Sequence, residues 1–338
     1  MRVAVLGLGF MGATHVQAIL KVPTLKLAGV CSSDEKKLNG DLGGTGGNLG
    51  GTFEALDFSA VKKFRHWQDV LADPEIDAVD ITLPTALHAD VTRAALLAGK
   101  HVLVEKPIAL DGAVADALIV EAQRSGRILM AAQVLRFFPM YRQMADLVKS
   151  GSLGAVRSAF FRRRCAAPGW APWMKDKSKS GGGVFDLLIH DVDFMVHLMG
   201  LPSAVSAVGS EALEQSVDTI TANFQYPNGA SVTIAGGWHH GAFPFSMEYG
   251  VVCENGTIDY HLAQGHPKVY RPGAEPEDLV SPEGVDGFVE ELKYFAECCT
   301  ANRQPALCPP QESAQAVRLT RTMADARQAQ GAKIACRI

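Results

Sequence analysis

The chain has 338 residues, enough for two domains of ordinary size, and its 47% hydrophobic and 20% charged content excludes global disorder. Lys and Arg total 32 against 36 Asp and Glu, a formal net charge of −4, which argues against a chain-wide electrostatic grip on nucleic acid. No apolar run approaches the roughly 18 residues that a membrane span requires, so we expect neither a nucleic acid nor a membrane as partner.

The start of the chain and its cysteines bear on the cellular compartment. Residues 1–12 place Arg2 before an apolar stretch but lack a small-residue cleavage site, so they are interpreted as a buried first strand and not as a signal peptide. The seven cysteines form neither a C-x-x-C pair nor a Cys/His cluster with zinc spacing. The adjacent Cys298 and Cys299 are interpreted as packing residues. We therefore expect a cytoplasmic protein with reduced thiols and no metal site.

From Met1 to about residue 131, short apolar runs alternate with helical stretches. Strands are predicted at residues 3–9, 25–31, 78–84, 101–107 and 128–134, and helices at 12–21, 88–98 and 111–124. Near-continuous apolar strands separated by helices indicate a parallel sheet that is covered on both faces. This part of the chain is predicted to be a doubly wound α/β domain.

Beyond about residue 154 the apolar residues alternate more strictly. Strands are predicted in the segments 155–164, 204–213, 218–226, 230–239 and 247–260. Asn-Gly turns within residues 227–229 and 254–256 are strong hairpin signals, so this half is predicted to hold a mainly antiparallel sheet with a few helices. The tail returns to helix behind Pro309 and Pro310, because apolar residues recur there at helical spacing.

Residues 40–51 contain seven glycines. A phosphate-binding role is conceivable, but the glycines are not followed by the Lys-Ser/Thr pair of a P-loop, so a mobile surface loop is favoured.

Three glycines mark the end of the first predicted strand and the start of a helix. Gly7, Gly9 and Gly12 form G-x-G-x-x-G in the strand–turn–helix context that this motif requires. The first glycine permits the tight turn, the second lets the backbone approach a pyrophosphate, and the third lets helix and strand pack closely. The helix N-terminus supplies free N–H groups and partial positive charge. We interpret this segment, which includes Phe10 and Met11, as a dinucleotide-binding fingerprint and not as an ordinary βα turn.

The residues about 20 positions beyond the fingerprint bear on the choice between NAD and NADP. NAD enzymes place an Asp or Glu there, whereas this chain has Ser32 and Ser33. These hydroxyls, with Lys37 in the next turn, would contact a 2′-phosphate through charge-assisted hydrogen bonds. Asp34 or Glu35 would reach the ribose instead if the turn is shifted. The sequence therefore predicts NADP or NAD as the cofactor and favours NADP.

Two later strands also end in residues suited to chemistry. Leu83 and Pro84 lie at the end of one predicted strand with His88 shortly after it, and Glu105 and Lys106 lie at the end of the next. Ligands of open α/β sheets bind outside the carboxyl ends of the strands, so these groups are expected to face the cofactor. A lysine beside a carboxylate would polarise a hydroxyl or carbonyl oxygen; the alternative is a solvated surface lysine.

A glycine triplet at residues 181–183 precedes a predicted helix. Asp186 and His190 are four residues apart and therefore share one helix face, and Asp193 is expected near that face as well. A carboxylate–imidazole pair suits proton transfer near neutral pH. Two alternatives remain open, a metal site and a helix cap at Asp186 with a packed histidine.

The combination of motifs resembles the Gfo/Idh/MocA oxidoreductase family, which contains glucose–fructose oxidoreductase and inositol dehydrogenase. The motifs that carry the resemblance are G-L-G-F-M-G-x-x-H at 7–15, L-P-T-x-L-H at 83–88, A-G-K-H-V-L-V-E-K-P at 98–107, G-G-G-V-F-D-x-x-x-H-D-x-D at 181–193 and F-V-E-E-L-K-Y-F at 288–295. The resemblance covers nearly the whole chain, and the order of its motifs is more specific than any single one.

The resemblance implies an oxidoreductase that acts on a carbinol of a sugar, inositol or related polyol with NAD(P). Lys106 matches the lysine that binds the reacting oxygen near the nicotinamide, and Asp186 and His190 match the substrate-site Asp and the catalytic His. The serines after the second strand and Lys37 fall where NADP-preferring members hold the 2′-phosphate. The family also implies a large open sheet in the second domain that often makes dimer or tetramer contacts.

We therefore predict an α/β fold class, in which an N-terminal Rossmann doubly wound parallel sheet precedes a C-terminal α+β domain with a large open, mainly antiparallel sheet. The predicted domains are a dinucleotide-binding domain at 1–128, a substrate and oligomerisation domain at 129–310 and a C-terminal helix at 311–338 that packs back on the first domain.

The leading functional hypothesis is hydride transfer between a secondary alcohol and a nicotinamide, in a homodimer or homotetramer. The alternatives are a glycosidase or lyase that oxidises a sugar transiently and a non-enzymatic NAD(P)-binding sensor. A sequence run of three arginines at 162–164 is predicted to be solvated, because residues alternate down a strand, and not to bind an anion.

Overall fold

The structure is a computed structural model that describes residues 1–47 and 53–337. The chain forms two compact units, one of Met1–Val134 with Asp286–Ala314 and one of Leu135–Val285 with Gln315–Ile338. This division differs from the one predicted from the sequence. The segment 286–314 belongs to the first unit, and the C-terminal helix, from Gln315 onwards, belongs to the second.

Two helices explain the difference. The helix Gly287–Thr300 buries Leu292 and Phe295 and packs on the helix that follows the fingerprint, so it completes the first unit. The helix Pro310–Gln328 carries Arg327, whose Nη1 lies 2.6 Å from Asp218 Oδ1 in the second unit. A buried ion pair of this kind fixes the C-terminal end of the chain to the second sheet, a contact that the periodicity of the helix does not reveal.

Six parallel strands form the sheet of the first unit, in the order β3-β2-β1-β4-β5-β6. The strands are β1 Arg2–Leu6, β2 Lys26–Cys31, β3 Lys62–Phe64, β4 Ala78–Ile81, β5 His101–Glu105 and β6 Leu129–Ala132. The helices of this unit are α1 Phe10–Leu20, α2 Glu35–Leu38, α3 Trp67–Ala72, α4 His88–Leu97, α5 Gly112–Ser125 and α9 Gly287–Thr300.

The strand order confirms the predicted Rossmann sheet. The order reverses direction on either side of β1, which places a topological switch point at the carboxyl ends of β1 and β4, the usual ligand edge of such a sheet. The prediction missed β3 and α3, because a three-residue strand that begins with two lysines has no apolar run to announce it.

The second unit holds a nine-stranded sheet in the order β14-β13-β12-β11-β7-β10-β9-β8-β15. Its strands are β7 Val156–Ala166, β8 Ala204–Ala212, β9 Val217–Gln225, β10 Ser231–His239, β11 Ser246–Cys253, β12 Gly256–His261, β13 Lys268–Tyr270, β14 Glu277–Asp278 and β15 Ile334–Ala335. Its helices are α6 Pro139–Lys149, α7 Lys177–Ser180, α8 Gly183–Met199 and most of α10 Pro310–Gln328.

The predicted antiparallel sheet is confirmed, with one exception in its centre. The neighbouring strands β7 and β10 run parallel, and the other pairs are antiparallel. Both predicted Asn-Gly turns lie where expected, between β9 and β10 and between β11 and β12. Helix α8 packs across β10, β7 and β9 and so lies over the middle of the sheet.

Aromatic side chains fill the core between α8 and the sheet. Phe161 and Phe194 are fully buried, and Tyr141 packs edge-to-face against Phe194 and Tyr249, with both pairs of ring centroids 5.0 Å apart. Such edge-to-face pairs add about 0.5–1.5 kcal/mol beyond their area burial. This core gives α8 a rigid support.

All seven cysteines are free, and six of them are buried. Cys298 and Cys299 are buried on α9, as predicted for packing residues. Among the described residues, we find no helix with both the length and the apolar character needed to cross a membrane.

Candidate functional site

The glycine fingerprint has the geometry that a pyrophosphate site needs. Gly7 has φ +102°, and a Cβ there would lie 2.8 Å from the carbonyl oxygen of Thr82. A Cβ on Gly12 would lie 2.0 Å from the carbonyl oxygen of Gly7, whereas a Cβ on Gly9 would meet no atom of the described residues within 4 Å. Helix α1 starts directly after Gly9 without a side-chain cap, so the N–H groups of its first turn remain available to an anion. The residues present therefore fit a dinucleotide.

Thr82 ties the fingerprint to the end of β4, a role that the sequence analysis missed. Its Oγ1 donates to the carbonyl oxygen of Gly7 at 2.8 Å, and its backbone N–H donates to Leu6 at 2.9 Å. The turn that carries the glycines is thus held from the neighbouring strand. A hydroxyl residue directly after a buried strand was the available signal.

The turn after β2 engages both acidic residues in local contacts. Asp34 caps α2, because its Oδ1 accepts the N–H of Lys36 at 2.9 Å, while its own N–H donates to Ser32 Oγ at 3.1 Å. Glu35 forms an exposed ion pair with Arg65. Neither carboxylate therefore stands unengaged at the end of β2.

Arg65 is a second residue that the sequence analysis missed. The register of the sheet pairs Cys31 with Phe64, so Arg65 follows β3 directly beside Ser32 at the end of β2. Ser33 is exposed and Lys37 is half-buried in the same turn. Nothing in the sequence indicated that Arg65 lies beside Ser32, because β3 is too short and too polar to be predicted.

The described part of the glycine-rich segment, residues 40–47, forms neither helix nor strand and is packed in part. Gly40 and Leu42 are buried, and a Cβ on Gly47 would lie 2.2 Å from the ring of Phe10 in the fingerprint. Phe10 also packs edge-to-face on Phe53, with ring centroids 5.5 Å apart. Residues 48–51 of the predicted loop lie outside the described residues.

The backbone on each side of the half-buried Lys106 lies against a neighbouring side chain. Its N–H donates to Glu105 Oε2 at 2.9 Å, and the Lys106–Pro107 peptide bond is cis. His88 is buried and bridges two carbonyl oxygens: its Nδ1 lies 2.8 Å from Pro107 O, and its Nε2 lies 2.8 Å from Leu83 O. Burial lowers the pKa of His88. His88 and Glu105 thus contact the backbone around Lys106. Their contact with a cofactor stays a prediction.

A buried histidine connects α1 to the ends of β4 and β5. His15 Nδ1 lies 2.9 Å from Asp80 Oδ2, and His15 Nε2 lies 3.3 Å from Glu105 Oε1. Burial opposes the charged form of His15, but the two carboxylates outweigh it and raise its pKa well above the usual range. Burial likewise opposes ionisation of Glu105, yet its contact with His15 keeps the pKa of Glu105 below its ordinary value.

In the second unit, the glycine triplet allows the start of α8 to pack closely against neighbouring residues. Gly182 has φ +88°, and the N–H of Val184 donates to Asp218 Oδ2 at 2.9 Å. A Cβ on Gly183 would lie 2.4 Å from the indole of Trp238. A carboxylate at a helix N-terminus satisfies a free N–H and complements the helix dipole, so Asp218 anchors this end of α8.

Helix α8 presents the predicted pair on one face. Within residues 183–190, which are described throughout, Asp186 and His190 alone are partly exposed. Asp193 lies within one turn of His190, as its spacing predicts, but it is buried and receives two hydrogen bonds from Arg136, at 2.8 and 2.7 Å. The carboxylate of Asp193 therefore anchors the helix.

The arginine run is only partly solvated, which corrects the prediction for its central member. Arg163 is buried, and its guanidinium contacts Asp191 at 2.9 and 3.0 Å and Tyr141 Oη at 3.1 Å. Arg162 makes a bidentate contact with Glu248 at 2.6 and 2.7 Å on the other face of β7.

Among the described residues, no group of three His, Cys, Asp or Glu side chains is arranged to hold a metal ion.

Lys106 thus lies in the first unit, and Asp186 and His190 lie in the second, each with its own structural support. The structure brings together the predicted fingerprint residues in the first unit and the carboxylate–imidazole pair in the second. The catalytic and cofactor-binding roles of all these residues stay predictions.

Comparison with known proteins gives the family. Residues 1–133 match the model of an oxidoreductase family with an NAD-binding Rossmann fold, and residues 141–259 match the GFO/IDH/MocA C-terminal domain. A D-xylose 1-dehydrogenase (NADP(+)) from Haloferax volcanii is 26% identical over 90% of this chain and 91% of its own length. A UDP-N-acetylglucosamine 3-dehydrogenase from Acidithiobacillus ferrooxidans is 31% identical over 70% of this chain and 66% of its own length.

Solved structures extend the similarity to the whole fold. A levoglucosan dehydrogenase in complex with NADH and levoglucosan superimposes with a TM-score of 0.85 over 100% of both chains, at 19% identity. With two matching domain models in the expected order, the chain belongs to the Gfo/Idh/MocA family of NAD-binding oxidoreductases.

Proposed function

We propose that the protein is a dehydrogenase that transfers a hydride between a secondary alcohol of a sugar, inositol or related polyol and a nicotinamide cofactor. The observation that carries the proposal is Lys106, half-buried and held by its backbone at the carboxyl end of β5, in the sheet whose fingerprint fits a dinucleotide. The names of the xylose, UDP-N-acetylglucosamine and levoglucosan dehydrogenases support a sugar-type substrate.

The roles follow from the chemistry of each group. The bound cofactor supplies the hydride acceptor or donor. The ammonium group of Lys106 stabilises the negative charge that develops on the substrate oxygen. The imidazole of His190 accepts the hydroxyl proton during oxidation and returns it during reduction, and Asp186, one turn earlier on α8, orients the imidazole or the substrate.

We further propose a preference for NADP. Ser32, Ser33 and Lys37 offer hydrogen bonds and positive charge for a 2′-phosphate, and Arg65 adds a guanidinium beside them. The Arg65–Glu35 pair is exposed on both sides, and such pairs contribute only about 0–1 kcal/mol, so Arg65 can exchange Glu35 for a phosphate at little cost. The family resemblance also supports a homodimer or homotetramer.

A substrate panel tests the proposal. Purified protein is incubated with NADP⁺ or NAD⁺ and with D-xylose, levoglucosan, myo-inositol or UDP-N-acetylglucosamine, and reduced nicotinamide is followed by absorbance. We expect turnover with at least one of these, fastest with NADP⁺, and its loss in Lys106→Ala and His190→Asn variants that still bind NADPH. Release of an aglycone from a glycoside without net cofactor reduction would instead indicate a glycosidase or lyase.

A further inference from the structure

Next to the backbone of Lys106 lie three buried ionisable side chains that have no role in the proposed reaction. His15 and Asp80 are 0% exposed and Glu105 is 7% exposed. They come from α1, β4 and β5, which the chain brings together only in the folded first unit. The imidazole bridges the two carboxylates, at 2.9 Å to Asp80 and 3.3 Å to Glu105.

Burial of three charges in a Rossmann core is unfavourable unless the charges are paired. An imidazolium between two carboxylates meets this condition, and the ring of Phe288 from α9 packs against His15 with ring centroids 6.1 Å apart. The other titratable groups that face Glu105 are Lys106 and His88. Replacement of such a buried set by apolar groups is often neutral or stabilising, so stability alone does not account for these charges.

The geometry of the Glu105 carboxylate indicates that purpose. One of its oxygens faces His15, and the other accepts the backbone N–H of Lys106 at 2.9 Å. The hydrogen bond on one oxygen and the ion-pair contact at 3.3 Å on the other together favour one orientation of the carboxylate, and the direction of the Lys106 N–H depends on that orientation. The carbonyl oxygen of the next residue, Pro107, lies 2.8 Å from Nδ1 of His88.

We propose that His15, Asp80 and Glu105 form a buried relay that fixes the backbone from which Lys106 projects, so that His15 and Glu105 are positioning residues for hydride transfer. The relay rests on the proposed function, since it matters for turnover only if Lys106 binds the reacting oxygen. It also reassigns Glu105 from a cofactor contact to the support of its neighbour. Reactive groups need placement to within about 0.5 Å, and a misplacement of about 1 Å costs roughly 100-fold in rate.

Two charge-removing variants and one control test the relay. His15→Gln and Glu105→Gln keep hydrogen-bonding groups but remove the charges. Leu118→Ala, at a fully buried position on α5 of the same unit, is the control, because it destabilises the unit at a residue outside the relay. The measurements are the hydrogen-exchange rate of the Lys106 amide by NMR, the dissociation constant of NADPH by fluorescence, and kcat and KM with the substrate that the panel identifies.

The expected result separates positioning from stability. Both charge-removing variants exchange the Lys106 amide about tenfold faster or more, and their kcat falls by roughly 10- to 100-fold, while the NADPH dissociation constant and substrate KM change by less than about threefold. Leu118→Ala lowers the melting temperature but leaves amide exchange at Lys106, relative to its neighbours, and kcat close to wild type.

Each contrary outcome has a distinct meaning. Unchanged exchange at Lys106 in His15→Gln overturns the relay, whatever the enzyme does. Faster exchange with unchanged kcat overturns the catalytic purpose of the relay and leaves the proposed function standing. If the variants fail to fold, histidine ¹⁵N spectra of the wild-type protein decide: a His15 ring protonated on both nitrogens above the usual imidazole range supports the charged relay, and a neutral ring overturns it. Absence of any turnover in wild-type protein that binds NADPH counts against the proposed function and removes the role in catalysis.

Discussion

The carboxylate of Asp218 contacts two helices of the second unit, one through each of its oxygens. Its Oδ1 lies 2.6 Å from Nη1 of Arg327 near the end of α10, and its Oδ2 accepts the N–H of Val184 in the first turn of α8. The C-terminal helix is thereby joined through one carboxylate to the helix that presents Asp186 and His190. A residue about 140 positions after His190 in the sequence therefore contributes to the support of the candidate catalytic face.

Removal of the Arg327 charge is expected to destabilise the second unit. In Arg327→Met the Asp218 carboxylate stays buried without its cation, which costs about 3–5 kcal/mol of unfolding free energy. Urea unfolding measures the loss, and Arg337→Met, at an exposed position of the same tail, serves as the control with an effect within about 0.5 kcal/mol. Equal stabilities of the two variants would contradict the anchoring role of the pair.

The start of α8 has no room for a side chain at Gly183. Gly183→Ala would place a Cβ 2.4 Å from the Trp238 indole, so we expect a loss of about 1–3 kcal/mol, despite the higher helix propensity of alanine, and a lower kcat because the first turn of α8 shifts. Gly169→Ala is the matched control, because a Cβ there meets no atom of the described residues within 4 Å. A Gly183→Ala variant as stable and active as Gly169→Ala would show that the contact relaxes freely.

The sequence was sufficient to predict the Rossmann sheet, the large second sheet and the shared face of Asp186 and His190, because these follow from local periodicity and motif spacing. The buried ion pairs could not be predicted from the sequence. The periodicity of α8 places Asp193 within one turn of His190, but the partner that draws it into the core, Arg136, lies 57 positions away. Nothing local distinguishes a paired aspartate from a catalytic one.

The same limit applies to domain boundaries and to Arg65. The helix α9 follows the second unit in sequence and yet belongs to the first, since it covers α1. Ser32 and Arg65 are 33 positions apart in the sequence and become neighbours because β3 pairs with β2. The proximity of Arg65 to the cofactor-binding turn could therefore not be predicted without the strand order. Strand order is a property of the tertiary fold and not of local pattern.

Two alanine variants of the fingerprint are expected to fail in different ways. Gly12→Ala brings a Cβ to 2.0 Å from the Gly7 carbonyl oxygen and should destabilise the fold. Gly9→Ala meets no described atom within 4 Å, so its melting temperature should match the wild type, while NADPH binding weakens about tenfold or more because the methyl group obstructs the pyrophosphate. Thermal unfolding and NADPH fluorescence titration distinguish the two; unimpaired NADPH binding by Gly9→Ala would count against this fingerprint.

Arg65 is expected to discriminate between the two nicotinamide cofactors. Loss of a charge-assisted hydrogen bond costs about 1.5–3 kcal/mol, so Arg65→Ala should raise the dissociation constant of NADPH by roughly 10- to 100-fold and that of NADH by less than about twofold. Glu35→Gln, which frees the guanidinium from its partner, should tighten NADPH binding modestly. Arg124→Ala, exposed on α5, is the control. An equal effect of Arg65→Ala on both cofactors would place Arg65 away from the 2′-phosphate.

The buried His15 predicts a specific dependence of stability on pH. The pKa of His15 is raised in the folded state by Asp80 and Glu105, so its contribution is fully present below the ordinary imidazole pKa of about 6.5 and is lost as the pH rises through the higher folded value. The pKa of Glu105 is lowered mainly by His15 against the effect of burial, so its contribution is present above about 4.5 and is lost as the pH falls through its folded value. The difference in unfolding free energy between wild type and His15→Gln should therefore be largest near pH 6, at about 3–5 kcal/mol, and should shrink towards alkaline pH. Urea unfolding across this range measures it, with the exposed His66→Gln as control. A difference that stays constant with pH would mean that the pKa of His15 is the same in the folded and unfolded protein, and one that grows with rising pH would mean that His15 is neutral in the folded protein. Either result would remove the charged relay as the explanation for how Lys106 is held.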